Sequence, residues 1–387
     1  MMIPRIKIYT APMVLGLVLS MAALFWSGPS LAQAQGQAPA QERDQAETGT
    51  QGAPEDKLTV YTAITATTAQ LPLLGALKRG WPEGAEVKVE YWKNLEDLRA
   101  LVLAGKGDVW VGHLETLARA ASRGAPVSLV AVTVWRKFYF ISSPLPLAKG
   151  QEPAYPTDVG ELLKAAAENK LTVTASPQNS PQAGLLEELK DVYGAFPSEG
   201  LPPQQLILEL MRGQRLIGLM PEPMASMAVS KDPKLKIIGS LEEEYSKNFG
   251  GDGYLPQAGV AVNRAFLERR PNDATELVAL MAATVKDLEG KPVSAKIELF
   301  PPEVIGAVGQ EVLEASLTLE PLRFQNSSEA KDRIMDFLLL AAPDLFETGG
   351  TFPQSFFWDQ NPGSPKAGQP TESPSPGQPE AGSANAQ

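Results

Sequence analysis

The chain of 387 residues carries 34 basic and 45 acidic side chains, a formal net charge of −11 at pH 7. This acidity argues against a nucleic-acid-binding surface, which needs clustered positive charge. The absence of cysteine excludes disulfides, thiol nucleophiles, thiolate metal sites and lipid attachment through cysteine. A chain of this length without disulfides depends on its apolar core, and we expect two domains or lobes.

The N-terminal residues have the pattern of an export signal. Arg5 and Lys7 precede the apolar stretch 13–26, and an Ala-Gln-Ala pattern follows at 32–34. This order is typical of a signal peptide, residues 1–34, with cleavage after Ala34. A spanning helix needs roughly 20 apolar residues, so the short stretch disfavours the alternative of an uncleaved membrane anchor. We expect a soluble periplasmic protein without a lipid anchor.

Two further segments are predicted to be disordered. Residues 35–56 contain almost no large apolar side chain, and residues 360–387 are dominated by Pro, Ser, Gly, Gln and Ala. Neither segment buries enough apolar surface to offset the entropy lost on ordering. We interpret them as a linker and a tail without chemistry of their own.

From Lys57 onward, short β-branched runs alternate with helical patterns. Asn94 is a predicted N-cap, because it precedes leucines at helical spacing. Strands separated by helices of this length predict parallel sheets covered on both faces. The predicted strands are 57–63, 85–92, 108–112, 126–135, 137–143, 171–175, 216–220, 235–239 and 257–263. The predicted helices include 94–105, 113–124, 157–169, one from Pro181, 202–212, one from Glu222, 264–289, about 302–316, and 328–342.

Two segments of the chain share one plan. Residues 103–121 and 211–229 each contain a helix end, a turn glycine, a short strand, a polar break and a new helix. In this register His113 falls opposite Pro221, and Leu114 falls opposite Glu222. The comparison predicts two similar α/β lobes facing one another, and the alternative that any two strand-to-helix turns look alike stays open.

Residues 98–132, which include the first of these segments, resemble a known family. A helix end, a short strand and a second helix end follow a pattern met by Leu101, Gly105, Asp108, Gly124, Pro126 and Val127. This pattern is similar to the first lobe of the nitrate/sulfonate/taurine-type substrate-binding proteins of ABC importers. Residues 175–189 and the Glu-Pro turn within 221–228 resemble the second lobe.

The chain also departs from the family. Leu216 stands where the second lobe usually has an aspartate, which weakens the transfer of second-lobe contacts. The related thiamine-pyrimidine synthases use a cysteine cluster, which this chain cannot have. The resemblance therefore favours binding over catalysis.

What the resemblance implies is an α/β fold of the bilobal periplasmic-binding-protein type II, with a ligand cleft between the lobes. Lobe one is expected at 57–142 plus 256–348 and lobe two at 143–255, with hinge crossings near 142–146 and 253–257. The implied function is that of a monomer that delivers a small organic solute to an ABC permease and its ATPase, without a cofactor. An exported module for sensing or scaffolding is the alternative, and an enzyme related to the thiamine-pyrimidine synthases comes third.

Ligands of open α/β sheets bind outside the carboxyl ends of the strands. Plain N-capping is the alternative for the hydroxyl groups of the loop 62–68, and core packing is the alternative for Trp92. The candidate ligand-binding residues at the strand ends are Thr65, Thr67, Thr68, Trp92, Gly112, His113, Glu115, Ser176, Asn179, Ser180 and Glu222.

His113 is the only histidine of the chain. A single imidazole without cysteine disfavours a metal site, and the chain lacks both a His-Glu-x-x-His motif and a Gly-x-Ser-x-Gly elbow. We therefore predict no metal ligand and no catalytic residue. Two interpretations stay open, a structural role at the start of the following helix and a contact with the ligand.

The predicted turns also bear on the charge of the ligand. They contain hydroxyls, amides, one imidazole and two carboxylates, but no lysine or arginine. Helix N-termini alone contribute only about 0.3–1 kcal/mol each toward an anion. We expect an organic ligand with donor groups, such as a nitrogen heterocycle or an amine-bearing zwitterion, unless Arg136, Lys137 or Lys149 reaches the cleft.

Overall fold

The computed structural model describes residues 57–147, 152–176, 182–347 and 351–359. The predicted signal peptide, linker and tail lie outside these residues, as do Lys149, Asn179 and Ser180. Every structural statement below concerns the described residues.

The strands follow the predicted order closely. The sequence predicted nine of them, and two short strands at 198–200 and 325–326 are additional. In chain order they are β1 Lys57–Ala63, β2 Glu86–Trp92, β3 Val109–His113, β4 Val127–Val134, β5 Phe138–Ser142, β6 Val173–Ala175, β7 Ser198–Gly200, β8 Ile217–Pro221, β9 Lys236–Ser240, β10 Ala258–Asn263 and β11 Gln325–Asn326.

Fifteen α-helices occur in the described residues, with short 3-10 turns at Thr68–Gln70 and Gln354–Phe356. They are α1 Leu71–Lys78, α2 Leu95–Leu103, α3 Leu114–Ser122, α4 Val159–Asn169, α5 Gln182–Tyr193, α6 Pro203–Met211, α7 Met224–Lys231, α8 Leu241–Phe249, α9 Arg264–Arg269, α10 Pro271–Leu288, α11 Val293–Ile297, α12 Pro302–Val308, α13 Gln310–Leu319, α14 Lys331–Ala341 and α15 Asp344–Glu347. None of them is both long enough and apolar enough to cross a bilayer.

Two of the predicted helices are interrupted. The helix predicted at 264–289 breaks at Arg270, because the following residue is Pro271 and a residue before proline is driven out of the helical region. The helix predicted at about 302–316 divides at Gly309, whose φ of 92° falls in the region that favours glycine. Both breaks turn the chain between packed helices.

The strands form two sheets with matching topology. The first has the order β11-β4-β10-β3-β1-β2, and the second has the order β7-β6-β8-β5-β9. Apart from β11, the sheets correspond strand for strand. Each has parallel strands at one end and one antiparallel strand, β10 or β5, beside the strand that ends at the cleft. The predicted pair of similar lobes is thus observed.

Each antiparallel strand comes directly from the other lobe. The chain leaves β4 in the first sheet and enters β5 in the second, so the first crossing lies at Arg136–Lys137. The sequence placed this crossing near 142–146 and assigned β5 to lobe one, which the strand pairing corrects. An apolar strand is recognisable from its residues, but its pairing partners are distant in the chain and leave no local signal.

Helices cover both faces of each sheet, as predicted. Trp110 of β3 packs on the α2, α3 and α14 side, whereas its neighbours Val109 and Val111 pack on the α1 and α10 side. In the second sheet, Phe138 and Phe140 face the α4, α5 and α8 side, while the intervening residues of β5 face α6 and α7. Alternate side chains therefore enter different cores, which is the pattern of a sheet buried on both faces.

Two C-terminal helices pack against both lobes. In α13, Leu317 belongs to a cluster that includes α1, whereas Leu319 packs with the α6 and α7 cluster of lobe two. In α14, Leu338 packs in lobe one and Leu340 packs against lobe two. Gly184 of α5 lies against the Leu340 carbonyl, where an added Cβ would stand only 2.7 Å from the oxygen. Side-chain packing therefore joins the lobes beside the crossings.

Candidate functional site

A cleft of about 430 Å³ lies between the strand ends of the two sheets. The first lobe contributes the loop after β1, the end of β2 and the end of β3, and the second contributes the end of β8 and the start of α6. This is the position expected for a ligand in open α/β sheets. Six of the predicted site residues line the cleft: Thr65, Thr67, Trp92, Gly112, His113 and Glu222.

His113 ends β3 and occupies the N-cap position of α3. Its side chain makes no capping hydrogen bond, and its imidazole has no hydrogen-bond partner in the described residues. The half-buried ring lines the cleft. Burial and the nearby Lys137 ammonium lower the pKa of His113 to about 3, so the neutral ring presents one donor and one acceptor. His113 therefore does not cap α3 through a side-chain hydrogen bond. Its contact with the ligand remains a prediction.

The hydroxyl-rich loop after β1 satisfies most of its own polar groups. Thr67 is the N-cap of the 3-10 turn, and its hydroxyl accepts a bond of 3.3 Å from the Ala69 amide. Gln70 completes a capping box, because its Oε1 accepts from the Thr67 amide at 3.0 Å. The Gln70 amide group also donates to Thr62 Oγ1 and to the Ala63 carbonyl. The N-capping alternative therefore describes Thr67.

Thr68 points into the protein, where it binds a buried carboxylate. Its amide and hydroxyl donate to Glu320 Oε2 at 3.2 and 2.9 Å. Glu320 follows α13, is 1% exposed, and has a pKa raised by burial. Lys137 Nζ lies 3.6 Å from the second oxygen, Oε1. The helix that carries Glu320 comes from a distant part of the chain, so no local pattern pointed to it.

Lys137 lines the cleft, which is the exception that the prediction about the charge of the ligand allowed for. Its side chain is 4% exposed and lines the cleft, as does the exposed Lys93 at the rim. Glu242, at the start of α8, fixes the crossing by accepting the Lys137 amide at 2.9 Å and the Phe138 amide at 3.2 Å. The first crossing between the lobes thus delivers a lysine to the floor of the cleft.

Glu222 follows β8 and is 1% exposed at the cleft wall. Its oxygens accept from the Ser226 hydroxyl at 3.0 Å and from the Ser226 amide at 3.3 Å. In the part of the chain that is described, Glu222 forms no ion pair. Burial and the charge of Glu320 raise its pKa to about 7. A buried carboxylate without a cation favours a ligand that brings a donor or a positive charge.

Trp92 combines the two roles considered for it. Its indole nitrogen donates to the Val111 carbonyl at 2.9 Å, and its ring packs against the core of lobe one. The ring is only half-buried and also lines the cleft. Stacking on a planar ligand remains a prediction.

Two other predicted residues lie outside the cleft. Glu115, in the first turn of α3, pairs with Arg119, which also binds Asp344. Ser176 is buried, and its hydroxyl makes no hydrogen bond within the described residues. Helical spacing explains Glu115, because it places the side chain on the flank of α3 that bears Arg119 one turn later. In the same described ranges, no group of three or more His, Cys, Asp or Glu side chains could hold a metal ion.

Comparisons with solved structures reveal the same fold. An ABC transporter structure from Parabacteroides distasonis has a TM-score of 0.61 at 16% identity, covering 78% of this chain and 99% of that one. The periplasmic aliphatic sulphonate binding protein SsuA from Escherichia coli has a TM-score of 0.56 at 13% identity, covering 85% and 99%. The periplasmic nitrate-binding protein NrtA from Synechocystis has a TM-score of 0.55 at 13% identity, covering 76% and 85%.

No protein-family model and no curated protein sequence matches the chain. At such low identity the structural likeness establishes the fold alone. It confirms the bilobal α/β fold that the sequence predicted, and a sulfonate-binding and a nitrate-binding protein are among the structures that share this fold.

Proposed function

We propose that this protein is the solute-binding component of an ABC importer, which captures a small organic solute between its lobes and delivers it to a membrane permease. The observation that carries the proposal is the interlobe cleft, to which the two sheets contribute equivalent strand ends, at His113 and at Pro221–Glu222. The periplasmic sulphonate- and nitrate-binding proteins with this fold support the assignment.

The size and the walls of the cleft favour a small organic solute. Its volume of about 430 Å³ lies within the range of roughly 300–1,000 Å³ typical of small-molecule sites. Trp92, Pro203, Pro221 and Met224 provide apolar wall, and most of the exposed surface of the cleft comes from apolar atoms, with polar groups such as those of Thr65, His113 and Glu222 among them. Such a lining suits a ligand with an apolar body and a small number of polar groups.

We propose binding without catalysis. A general base needs a pKa near the operating pH, whereas that of His113 is lowered to about 3 by burial and Lys137. Glu222 has a pKa of about 7, but the groups that donate to it are the Ser226 amide and the hydroxyls of Ser226 and Ser316, none of which is an acid or base at neutral pH. Within the described residues, neither His113 nor Glu222 is hydrogen-bonded to a second titratable group.

The test is mass spectrometry of small molecules carried by the protein through native purification. We expect one solute at about one per chain, lost in Trp92→Ala and retained in Phe249→Ala, a matched change at an exposed aromatic residue on α8. Deletion of the gene should then abolish uptake of that solute by cells. Normal uptake in the deletion strain would favour sensing or scaffolding, and absence of any bound solute would refute the proposal.

A further inference from the structure

We propose that Glu320 and Lys137 form an internal ion pair that occupies the place of an anionic ligand, so that the cleft instead takes a solute with an ammonium group on an apolar body, held by Glu222. This inference rests on the proposed function and names the class of solute.

An anion in the cleft would need free backbone N–H groups at the first helical turn after β1. Free N–H groups at the start of a helix are the usual anion-binding groups. Here the Thr67 amide donates to Gln70, the Thr68 amide donates to Glu320, and the Ala69 amide donates to Thr67. All three are occupied by side chains of the protein. One of those side chains is itself a carboxylate, so the turn already holds an anion.

Carboxylates outnumber ammonium groups at the floor of the cleft. The Lys137 ammonium, 3.6 Å from Glu320 Oε1, balances the Glu320 carboxylate. Glu222 then remains without a cation in the described residues, and the carboxylate of Glu242 beneath the crossing adds further negative charge. His113 contributes no positive charge, because its ring is neutral at neutral pH. The three carboxylates of Glu320, Glu222 and Glu242 thus exceed by one the two ammonium groups, that of Lys137 and that of Lys296, whose charge also acts on Glu320. A cationic ligand beside Glu222 would balance this excess.

Apolar side chains from both lobes line the walls of the cleft. Trp92 presents part of its ring to the cleft from lobe one, and Met224 and Pro221 lie opposite it in lobe two. An aromatic face also attracts a cation, and a methionine side chain adapts to an apolar group. The solute class that fits is a small molecule with an ammonium group attached to a planar or apolar body.

The experiment uses three probes that share a phenyl ring and a two-carbon linker: phenethylamine, phenethyl alcohol and phenylpropanoate. Calorimetry with the wild-type protein at pH 8 should show the amine binding at least about tenfold more tightly than the alcohol, since a charge-assisted hydrogen bond is roughly twice as strong as a neutral one. The carboxylate should show no binding. Equal or tighter binding of phenylpropanoate would overturn the inference.

Two variants separate the two carboxylates. Glu222→Gln should lower the affinity for the amine to that for the alcohol, while affinity for the alcohol stays unchanged. Glu320→Gln frees Lys137 and the Thr68 amide, so it should gain binding of phenylpropanoate and of sulfate. The double variant Lys137→Met, Glu320→Gln lacks the freed cation and should not gain it.

Glu298→Gln, which removes an exposed carboxylate outside the cleft, should leave all three affinities unchanged. Circular dichroism checks that each variant is folded, and if Glu320→Gln does not fold, the ratio of amine to alcohol affinity in Glu222→Gln decides. A folded Glu320→Gln without anion binding would refute the internal ion pair.

Equal binding of the three probes would refute charge selection and leave solute capture intact. No binding of any probe would refute this solute class, whereas the proposed function fails on separate results: native purification that yields no bound solute, or normal uptake of the solute by cells that lack the gene.

Discussion

The Glu222 carboxylate is buried and forms no ion pair within the described residues. Its hydrogen bonds include those from the amide and hydroxyl of Ser226, the Ser316 hydroxyl also stabilises the carboxylate, and the neighbouring Glu320 carboxylate opposes its ionisation. A residue held in this way costs stability in the absence of ligand. On the proposal that a cationic solute binds beside Glu222, this cost is recovered when the ligand supplies the missing charge.

Because the buried Glu222 carboxylate destabilises the ligand-free protein, its replacement should raise the free energy of unfolding, and the size of this gain should depend on pH. Its pKa is raised from 4.5 to about 7, so its contribution to stability is present below about pH 4.5 and is lost as the pH rises through 7. Glu222→Gln should therefore raise the unfolding free energy of the ligand-free protein by about 1–3 kcal/mol at pH 8 and change it little at pH 5. Urea denaturation at the two pH values measures this difference. An equal effect at both would contradict the assigned ionisation, and Glu298→Gln is the control.

His113 predicts the opposite dependence on pH. Its pKa is lowered from 6.5 to about 3, so the unfolded chain takes up a proton that the folded protein refuses, and stability falls as the pH drops below 6.5. His113→Ala should remove this acid-side loss and leave the melting temperature at pH 7 nearly unchanged, since no capping bond is lost.

If His113 contacts the ligand, the same variant should weaken binding by roughly 0.5–1.5 kcal/mol. Calorimetry with the co-purified solute and thermal melting of the ligand-free variant measure the two effects. A lower melting temperature with unchanged affinity would instead support a structural role for this residue.

At the scale of elements, residues 352–358 cover the part of the β4 edge that β11 does not pair with. The Trp358 amide donates to the Leu129 carbonyl at 3.0 Å, and Ser327 Oγ donates to the Trp358 carbonyl at 2.9 Å. Phe356 is fully buried and packs edge-on against Phe352 with ring centroids 5.4 Å apart. The segment therefore shields the edge of β4, where unpaired backbone groups would otherwise invite association.

Removal of the buried ring should destabilise lobe one. We expect Phe356→Ala to lower the unfolding free energy by about 3–5 kcal/mol, through lost burial and the cavity that remains. Phe249→Ala, a matched truncation of an exposed ring, should cost much less. Equal costs in denaturant titrations would show that the C-terminal segment does not contribute to the core.

Features that depend on neighbouring residues could be predicted from the sequence, whereas contacts between distant residues could not. Asn94 was recognisable as the N-cap of α2, and its side chain does accept the Asp97 amide at 2.9 Å, because a cap depends on neighbouring residues alone. The equivalence of His113 and Pro221 was also visible, since it follows from two similar local patterns. The sheet that takes up β5, and the approach of Glu320 to Thr68, depend on residues far apart in the chain.

At the scale of the whole molecule, each crossing strand becomes an antiparallel strand of the sheet that it enters. The first crossing is fixed to α8 by Glu242, and α13 and α14 pack against both lobes. Movement between the lobes must therefore occur at Arg136–Lys137 and near 253–257 without parting these contacts. This arrangement favours a limited rotation over free separation.

Closure on the ligand is the prediction at this scale. Trp92 and His113 reach the cleft from lobe one and Glu222 reaches it from lobe two, so a solute that touches all three binds the closed form more tightly and shifts the balance toward it. Small-angle scattering should show a smaller radius of gyration when the co-purified solute is added to stripped protein. Glu222→Gln should show less compaction at the same solute concentration, and Glu298→Gln should behave as the wild type. If the bound protein keeps the radius of the stripped protein, the lobes do not close and the solute is held in a preformed cleft.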